Sequence, residues 1–416
     1  MSLFRLQKLD AFLVYLVQGG AGAVFFTMIF TVHMIYQVEK VGLNPLQLVL
    51  LGTTLEVSVL LFEIPTGVVA DVYSRRLSVI IGFFIMGAGF VIEGVFPVFS
   101  IIVVSQILWG LGYTFTSGAT SAWIADELGA ENLTRVYLRN TQISHAGDLL
   151  GILGGVLLGS LAINLPIIVG GLGIMGVGVF LLLWMPENGF HPVPPEDRGS
   201  WGQLFNTFRA GLRLVRGRRA LLAIMGIGLF FGLYSEGYDR LWTAHLLQNF
   251  TFPTLGGWQP VVWFGLMNAG RAILSITLSE LLVRRVSSGR AQLLVRVTLV
   301  LSGLLVLALF GFAFSMSFVA AAALVLVIGV LRSTIAPLYE AWVNQHVESS
   351  VRATVLSMTG QVDAVGQIAG GPVVGWIGNT ISIRAALATS ALLLSPVLLL
   401  LGRLLRRREA VPAPVE

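Results

Sequence analysis

The chain has 416 residues and no cysteine, which excludes a disulfide framework and a thiolate metal site and leaves the redox compartment unmarked. Charge is equally scarce. Asp, Glu, Lys and Arg make up 11% of the chain, against about 25% in soluble domains, and this excludes a soluble fold. The five histidines are scattered and no His-Glu-x-x-His occurs, so a membrane-embedded enzyme would lack a ligand cluster and no metal is expected. No glycine-rich run ends in Lys-Ser or Lys-Thr in the Walker pattern, so direct ATP coupling is not expected and neither is a cofactor.

What fills the chain is long apolar runs, with 56% hydrophobic residues and a mean hydropathy of +0.85. Between the runs, basic residues collect in alternate gaps. One set holds Arg5 and Lys8, Arg75 and Arg76, Arg135 and Arg139, the stretch Arg198 to Arg219, Arg284 to Arg296, Arg352, and Arg403 to Arg408. The other set holds only Lys40 and Arg384. By the positive-inside rule the basic set faces the cytoplasm, so both termini are cytoplasmic and the number of spans is even. The net charge of +5 is accounted for by these loops, and no nucleic-acid partner is expected. The run that opens the chain continues through Ile29 to Tyr36, too long for a cleaved signal, and reads as a first helix in an inner or plasma membrane.

With about 20 apolar residues needed to cross a bilayer, twelve spans are expected, at residues 9–36, 45–70, 78–95, 99–125, 141–162, 166–185, 220–248, 259–283, 291–314, 317–343, 354–378 and 383–402. Residues 1–185 form a first six-helix bundle, 186–219 a cytoplasmic linker opening on Pro186-Glu187-Asn188-Gly189, 220–402 a second bundle, and 403–416 a cytoplasmic tail. Within the linker, Trp201, Leu204, Phe205, Phe208, Leu212 and Val215 recur at helical spacing and predict an amphipathic helix on the membrane surface, as a passive strap or a regulatory element. An internal repeat joins the halves. The offset of 219 that takes Gly110 to Gly329 also pairs Ala122-Trp123 with Ala341-Trp342, Gln142 with Gln361, Gly147 with Gly366, Gly151 with Gly370 and Gly159 with Gly378. A parallel duplication of this kind fits a transporter whose halves rock about a central site. The architecture expected is all-α and membrane-integral, with two pseudo-symmetric bundles.

The sequence Gly67-Val68-Val69-Ala70-Asp71-Val72-Tyr73-Ser74-Arg75-Arg76 resembles the loop motif of the major facilitator superfamily, with Ser74 where a glycine is usual. In that family the loop acts as a latch in which the carboxylate pairs with arginines, which implies Gly67, Asp71, Arg75 and Arg76 here. A topogenic loop would need only the arginines. Within the superfamily, Phe62-Glu63-Ile64-Pro65-Thr66-Gly67 and Trp123-Ile124-Ala125-Asp126-Glu127 are similar to the tetracycline and macrolide group of drug:proton antiporters. Two departures stand out: Gln106 lies where those antiporters carry an arginine in span four, and the glycines of span five are not joined by a proline.

An ionisable group at membrane depth costs at least about 2.5 to 3.5 kcal/mol, so each is a functional candidate. The acids are Glu56, Glu63, Asp148, Glu236, Asp239, Glu340 and Asp363, opposed by Arg240, Arg271 and Arg332. Glu56, Glu236, Asp239 and Asp148 are candidates for proton coupling, although Glu236 and Arg240 are spaced to neutralise each other within one helix. Glu63 and Asp363 are gate candidates. Trp109, Tyr113, Tyr238, Tyr339, Arg271 and Arg332 are candidates to line a substrate cavity, the aromatics having packing as their other reading. His33 and His245 read as hydrogen-bonded histidines near the outer ends of spans one and seven, with a proton relay as the other reading. The function expected is proton-coupled export of amphiphilic or cationic drug-like molecules by alternating access. The alternative is a lipid or endogenous metabolite transporter of the same fold, possibly an importer. Expected partners are a small-molecule substrate, protons and membrane lipids, with the chain working as a monomer and the proton gradient as its energy source.

Overall fold

In the computed structural model the described residues are 8–129, 131, 133–192, 219–254, 256–285, 291–346 and 352–406. They form fourteen α-helices and no strand. These are α1 (Ala11–Ile35), α2 (Pro45–Val72), α3 (Arg75–Val95), α4 (Phe99–Thr116), α5 (Ala119–Leu128), α6 (Leu133–Leu161), α7 (Leu165–Trp184), α8 (Arg219–Asn249), α9 (Pro260–Arg285), α10 (Ala291–Ala313), α11 (Phe318–His346), α12 (Arg352–Thr380), α13 (Ile383–Leu394) and α14 (Pro396–Arg406). Ten segments among the described residues are long and apolar enough to cross a membrane, which makes this a multi-pass membrane protein. Helix α12 is 29 residues long but interrupts its apolar run with Gln361, Asp363, Gln367 and several glycines, so its hydropathy falls below that of its neighbours.

Local sequence sets the helix ends. The Asp10 carboxylate accepts from the backbone N–H groups of Phe12 and Leu13, at 3.0 and 3.3 Å, and caps α1. Asn44 and Gln47 exchange bonds of 3.0 and 2.9 Å across the first turn of α2, a reciprocal cap with Pro45 at its first position. Ser74 and Ser382 cap α3 and α13 by accepting from the backbone N–H groups of Leu77 and Ala385, at 2.9 and 3.1 Å.

Two expected spans are interrupted. The fourth, expected at 99–125, breaks at Ser117 and Gly118 into α4 and α5. Gly118 holds φ at 70°, a left-handed conformation in which a Cβ crowds the following carbonyl. The twelfth breaks at Ser395, because Pro396 has no N–H to continue the ladder. Elsewhere helices outrun their apolar cores. A π-helical turn, Tyr36–Lys40, prolongs α1, and α6 begins at Leu133, well before residue 141, where hydropathy alone starts the fifth span. Apolar content reports the bilayer, whereas helical hydrogen bonding continues through flanking polar residues.

The chain divides into two compact units. One comprises Met1–Leu43, Thr54–Trp201 and Trp258–Gly265, the other Asn44–Thr53, Gly202–Gly257 and Leu266–Glu416. In the first unit, α6 lays Gly147 and Gly151 against the backbone of α1, where an added Cβ would lie 2.5 Å from the carbonyl oxygens of Gly20 and Val24. In the second, Gly366 and Gly370 of α12 stand the same way against Leu229 and Leu233 of α8. These are repeat partners at the 219 offset, so the paired glycines make a close helix crossing in each unit. Close approach of this kind is what holds helices together in lipid, where burying apolar surface gains little. The expected linker helix at 201–216 lies outside the described residues.

Candidate functional site

The second unit contains a cavity of about 770 Å3 lined by α8, α10, α11 and α12. Its chemistry centres on Arg332 of α11, whose two terminal nitrogens fork onto the Asp239 carboxylate of α8, the Nη2 bond measuring 2.7 Å. The guanidinium also stands over the rings of Tyr234 and Tyr238, at 5.7 and 5.4 Å from their centroids. A planar cation fits this place better than an ammonium, because it can fork and stack at once. Across the cavity Asp363 accepts from Gln367 at 2.8 Å. Tyr339 donates to the Ile224 carbonyl at 2.7 Å and presents its ring beside Phe231. Glu340 adds a third, exposed carboxylate, so the lining carries Asp239, Glu340 and Asp363 against one arginine. The sequence-derived candidates Asp239, Arg332, Tyr339 and Asp363 therefore share one cavity.

Other candidates are placed elsewhere. Glu236 is buried one turn from Asp239 and accepts from Arg240 Nε at 2.9 Å. Gly52 lies against this pair, at a point where a Cβ would overlap the carboxylate. Tyr238 is buried under Arg332 and packs on Phe312. Arg271 is exposed on α9, its methylene stem against Gly329. In the first unit Glu56 is half-buried and Glu63 exposed on α2. Asp148 accepts from Thr27 at 2.6 Å and lies 3.6 Å from His145. Tyr113 is exposed, while Trp109 is packed among Phe30, Phe90 and His33.

The loop between α2 and α3 is tied down differently from the pairing that the family resemblance implies. Asp71 is exposed and has no ion-pair partner among the described residues, and Gly67 faces open space. Arg75 instead pairs with Asp126 of α5 and donates to the Ala122 carbonyl at 2.8 Å. Arg76 donates to the Leu182 carbonyl at 2.6 Å. Glu187 accepts from Ser74 Oγ and from the Arg76 backbone N–H at 2.7 and 2.9 Å. Glu127 accepts from the Gly189 N–H at 2.7 Å, and Trp123 donates to the Pro186 carbonyl at 2.8 Å. The arginine side chains thus tie the loop to α5 and to the end of α7, while Ser74, Trp123, Glu127 and the Arg76 backbone N–H hold the first residues after α7.

One cluster was absent from the sequence-derived candidates. Glu93, near the end of α3, is fully buried and the adjacent His33 is 2% exposed. Glu93 Oε1 lies 2.8 Å from His33 Nε2 and accepts from Gln37 Nε2 at 2.9 Å, and its Oε2 accepts from Ser105 at 2.9 Å. Gln106, which stands where the antiporters that the sequence resembles carry an arginine, lies 3.4 Å from that second oxygen. The signal available in the sequence was His33 itself, since a histidine within an apolar span needs a polar partner. His245 is also buried and contacts the Phe312 carbonyl at 3.1 Å.

Comparison with known proteins bears on this arrangement. Residues 11–360 match the Major Facilitator Superfamily. A Bacillus subtilis (strain 168) protein described as the uncharacterized MFS-type transporter YxaM is 23% identical over 375 residues, which is 88% of this chain and 90% of that protein. The nucleoside transporter NupG superposes with a TM-score of 0.74 at 14% identity, over 95% of this chain and 99% of that one. A bacterial homolog of the human lysosomal transporter Spinster, in an inward-facing and unoccupied conformation, gives 0.71 at 14% identity, over 97% and 98%. The solved structures speak for the fold, and the family match spans most of the sequence: the chain is a membrane transporter belonging to the Major Facilitator Superfamily.

Proposed function

We propose that this transporter exports amphiphilic, cationic small molecules in exchange for protons, by alternating access of two six-helix bundles with twelve spans in all. The observation that carries the reading is the charge of the second unit's cavity, three carboxylates against one arginine in a largely apolar wall. An uncompensated carboxylate in such a place is stabilised either by a cationic ligand or by a proton. The two therefore compete for Asp363, and that competition is what exchange requires. Tyr234, Tyr339 and Phe231 offer ring faces to the apolar or cationic part of the ligand. Arg332 orients the Asp239 carboxylate by its fork, whereas Asp363 has no ion-pair partner among the described residues and accepts from Gln367.

On this reading both termini face the cytoplasm of an inner or plasma membrane, the bundles run over residues 1–185 and 220–402, and the biological consequence is multidrug efflux with antibiotic resistance. No bound cofactor is required, since the proton gradient supplies the energy, and the working unit is a monomer. Glu56 and Glu236 serve as secondary charges rather than as the exchanging carboxylates. The loop around Asp71 gates the inner face through the arginine contacts described above.

The test uses proteoliposomes loaded at acid pH with an indicator inside, exposed to a panel of cationic and zwitterionic drugs. Drug-dependent loss of internal protons is expected, reduced at least tenfold in Asp363→Asn. Silence across the panel overturns the export reading in favour of a lipid or metabolite substrate.

A further inference from the structure

The buried cluster around Glu93 is the strongest feature that the cavity does not use. Its geometry is a triangle: His33 Nε2 to Glu93 Oε1 2.8 Å, Gln37 Nε2 to Glu93 Oε1 2.9 Å, and Gln37 Nε2 to His33 Nε2 3.1 Å. A bare imidazole nitrogen and a bare carboxylate oxygen repel at 2.8 Å, so the edge between them holds one hydrogen. The edge to Gln37 is where the amide's second N–H can point if that hydrogen leaves, because an NH2 group donates twice. Gln37 is therefore placed to hold both partners in either state.

The carboxylate's other side is similarly prepared. Gln106 Nε2 stands 3.4 Å from Oε2, and its amide oxygen is buried without a hydrogen-bond partner. Turning that amide over would present an acceptor to a protonated carboxyl. The rings of Phe30, Phe90 and Trp109 surround His33, with centroids 5.7, 6.2 and 6.4 Å away, and they exclude water.

No other described group neutralises the pair. Tyr36, from the π-helical turn, donates its hydroxyl to the backbone carbonyl of Glu93 at 2.6 Å rather than to the carboxylate. Glu39 and Lys40 of the same turn are exposed. The hydrogen-bonding groups that α4 brings to the pair are Ser105 and Gln106, neither of them charged, its Tyr113 being exposed, and α7 has no titratable side chain. On α6, His145 and Asp148 face each other and Thr27. On α5, Asp126 is taken by Arg75, and Glu127 by Asn188 and Gly189.

We propose that His33 and Glu93 form a proton-carrying site in the first unit, cycling between a neutral pair with one shared proton and an anionic pair bridged by Gln37. The proton resides on the His33 Nε2 to Glu93 Oε1 edge and leaves to water only when the outer ends of α1, α3 and α4 part. This deepens the proposed proton exchange and rests on that reading for its role in transport. The site itself does not depend on which substrate is carried.

The experiment is nitrogen NMR of the full chain, labelled at histidine and reconstituted in liposomes, with His33 assigned by its loss in His33→Gln. The His33 signal is expected to change over a titration from acid to alkaline pH, and in Glu93→Gln to change at a pH displaced by about one unit or more, a tenfold change in proton affinity. A His33 signal that stays constant across the range in the wild-type protein overturns the proposal and makes the pair a fixed cross-link. In the same vesicles Glu93→Gln should lose drug-driven proton movement at least tenfold while keeping downhill drug exchange, and wild-type proton movement in Glu93→Gln also overturns it. Titration of His33 without drug-driven proton movement in the wild type sinks the export reading and leaves the proton site standing.

Discussion

At the scale of single residues, the protein separates charges that cross-link from charges that serve a cavity. Glu236 and Arg240 are one helical turn apart and both largely buried, with side chains 5% and 11% exposed. Removing one partner strands the other, which costs about 3 to 5 kcal/mol when an ion pair is buried. Glu236→Gln should therefore lower the thermal midpoint of the detergent-purified protein, and Glu236→Gln combined with Arg240→Met should recover most of the loss. An unchanged midpoint in the single variant would remove the structural role assigned to the pair. Arg332 behaves differently, because its fork onto Asp239 and its stacking on two tyrosines need a planar guanidinium. Arg332→Lys keeps the charge and loses the fork, so the KM for a transported cation is expected to rise about tenfold with little change in stability. Equal KM values for the two proteins would show that the charge alone matters.

At the scale of elements, the breaks are as informative as the helices. The turn at Gly118 has no neighbouring atom within 4 Å of an added Cβ, so Gly118→Ala meets only backbone strain. That strain is about 1 to 2 kcal/mol, and Gly118→Asn should cost less because asparagine visits this conformation more readily. Thermal unfolding of the two variants against the parent checks the order, and equal losses would place the cost elsewhere. Helix positions were legible because run length and loop charge report the bilayer directly. The break at Gly118 was not, since a glycine in an apolar run reads equally as helix packing. Asp239, Arg332 and Asp363, which line the cavity, were legible as candidates because a charge deep in an apolar run is costly to insert and marks a cavity or a partner. Tyr339 was legible beside them as an aromatic in the same run. Glu93 was not, because a carboxylate two residues from the end of an expected span reads as solvated. Its burial comes from Ser105 and Gln106 of the next helix and from the π-helical turn that carries Gln37 alongside it, and neither is visible as hydropathy.

At the scale of the whole molecule, alternating basic loops predict that a reporter inserted after Lys40 is accessible only from outside intact cells. Labelling from the cytoplasmic side would reverse the orientation and the proposed direction of export with it. The natural lack of cysteine makes this measurement clean, because a single introduced thiol has no background. The matched crossings at Gly147 and Gly151 and at Gly366 and Gly370 carry a consequence for ancestry. A half-length ancestor working as a pair of identical subunits would have suffered every substitution twice, so a wet, charged pocket in one half would have forced the same pocket in the other. A single chain carries no such constraint, and here the second unit has an open acidic pocket while the first holds a single histidine and glutamate sealed among aromatic rings.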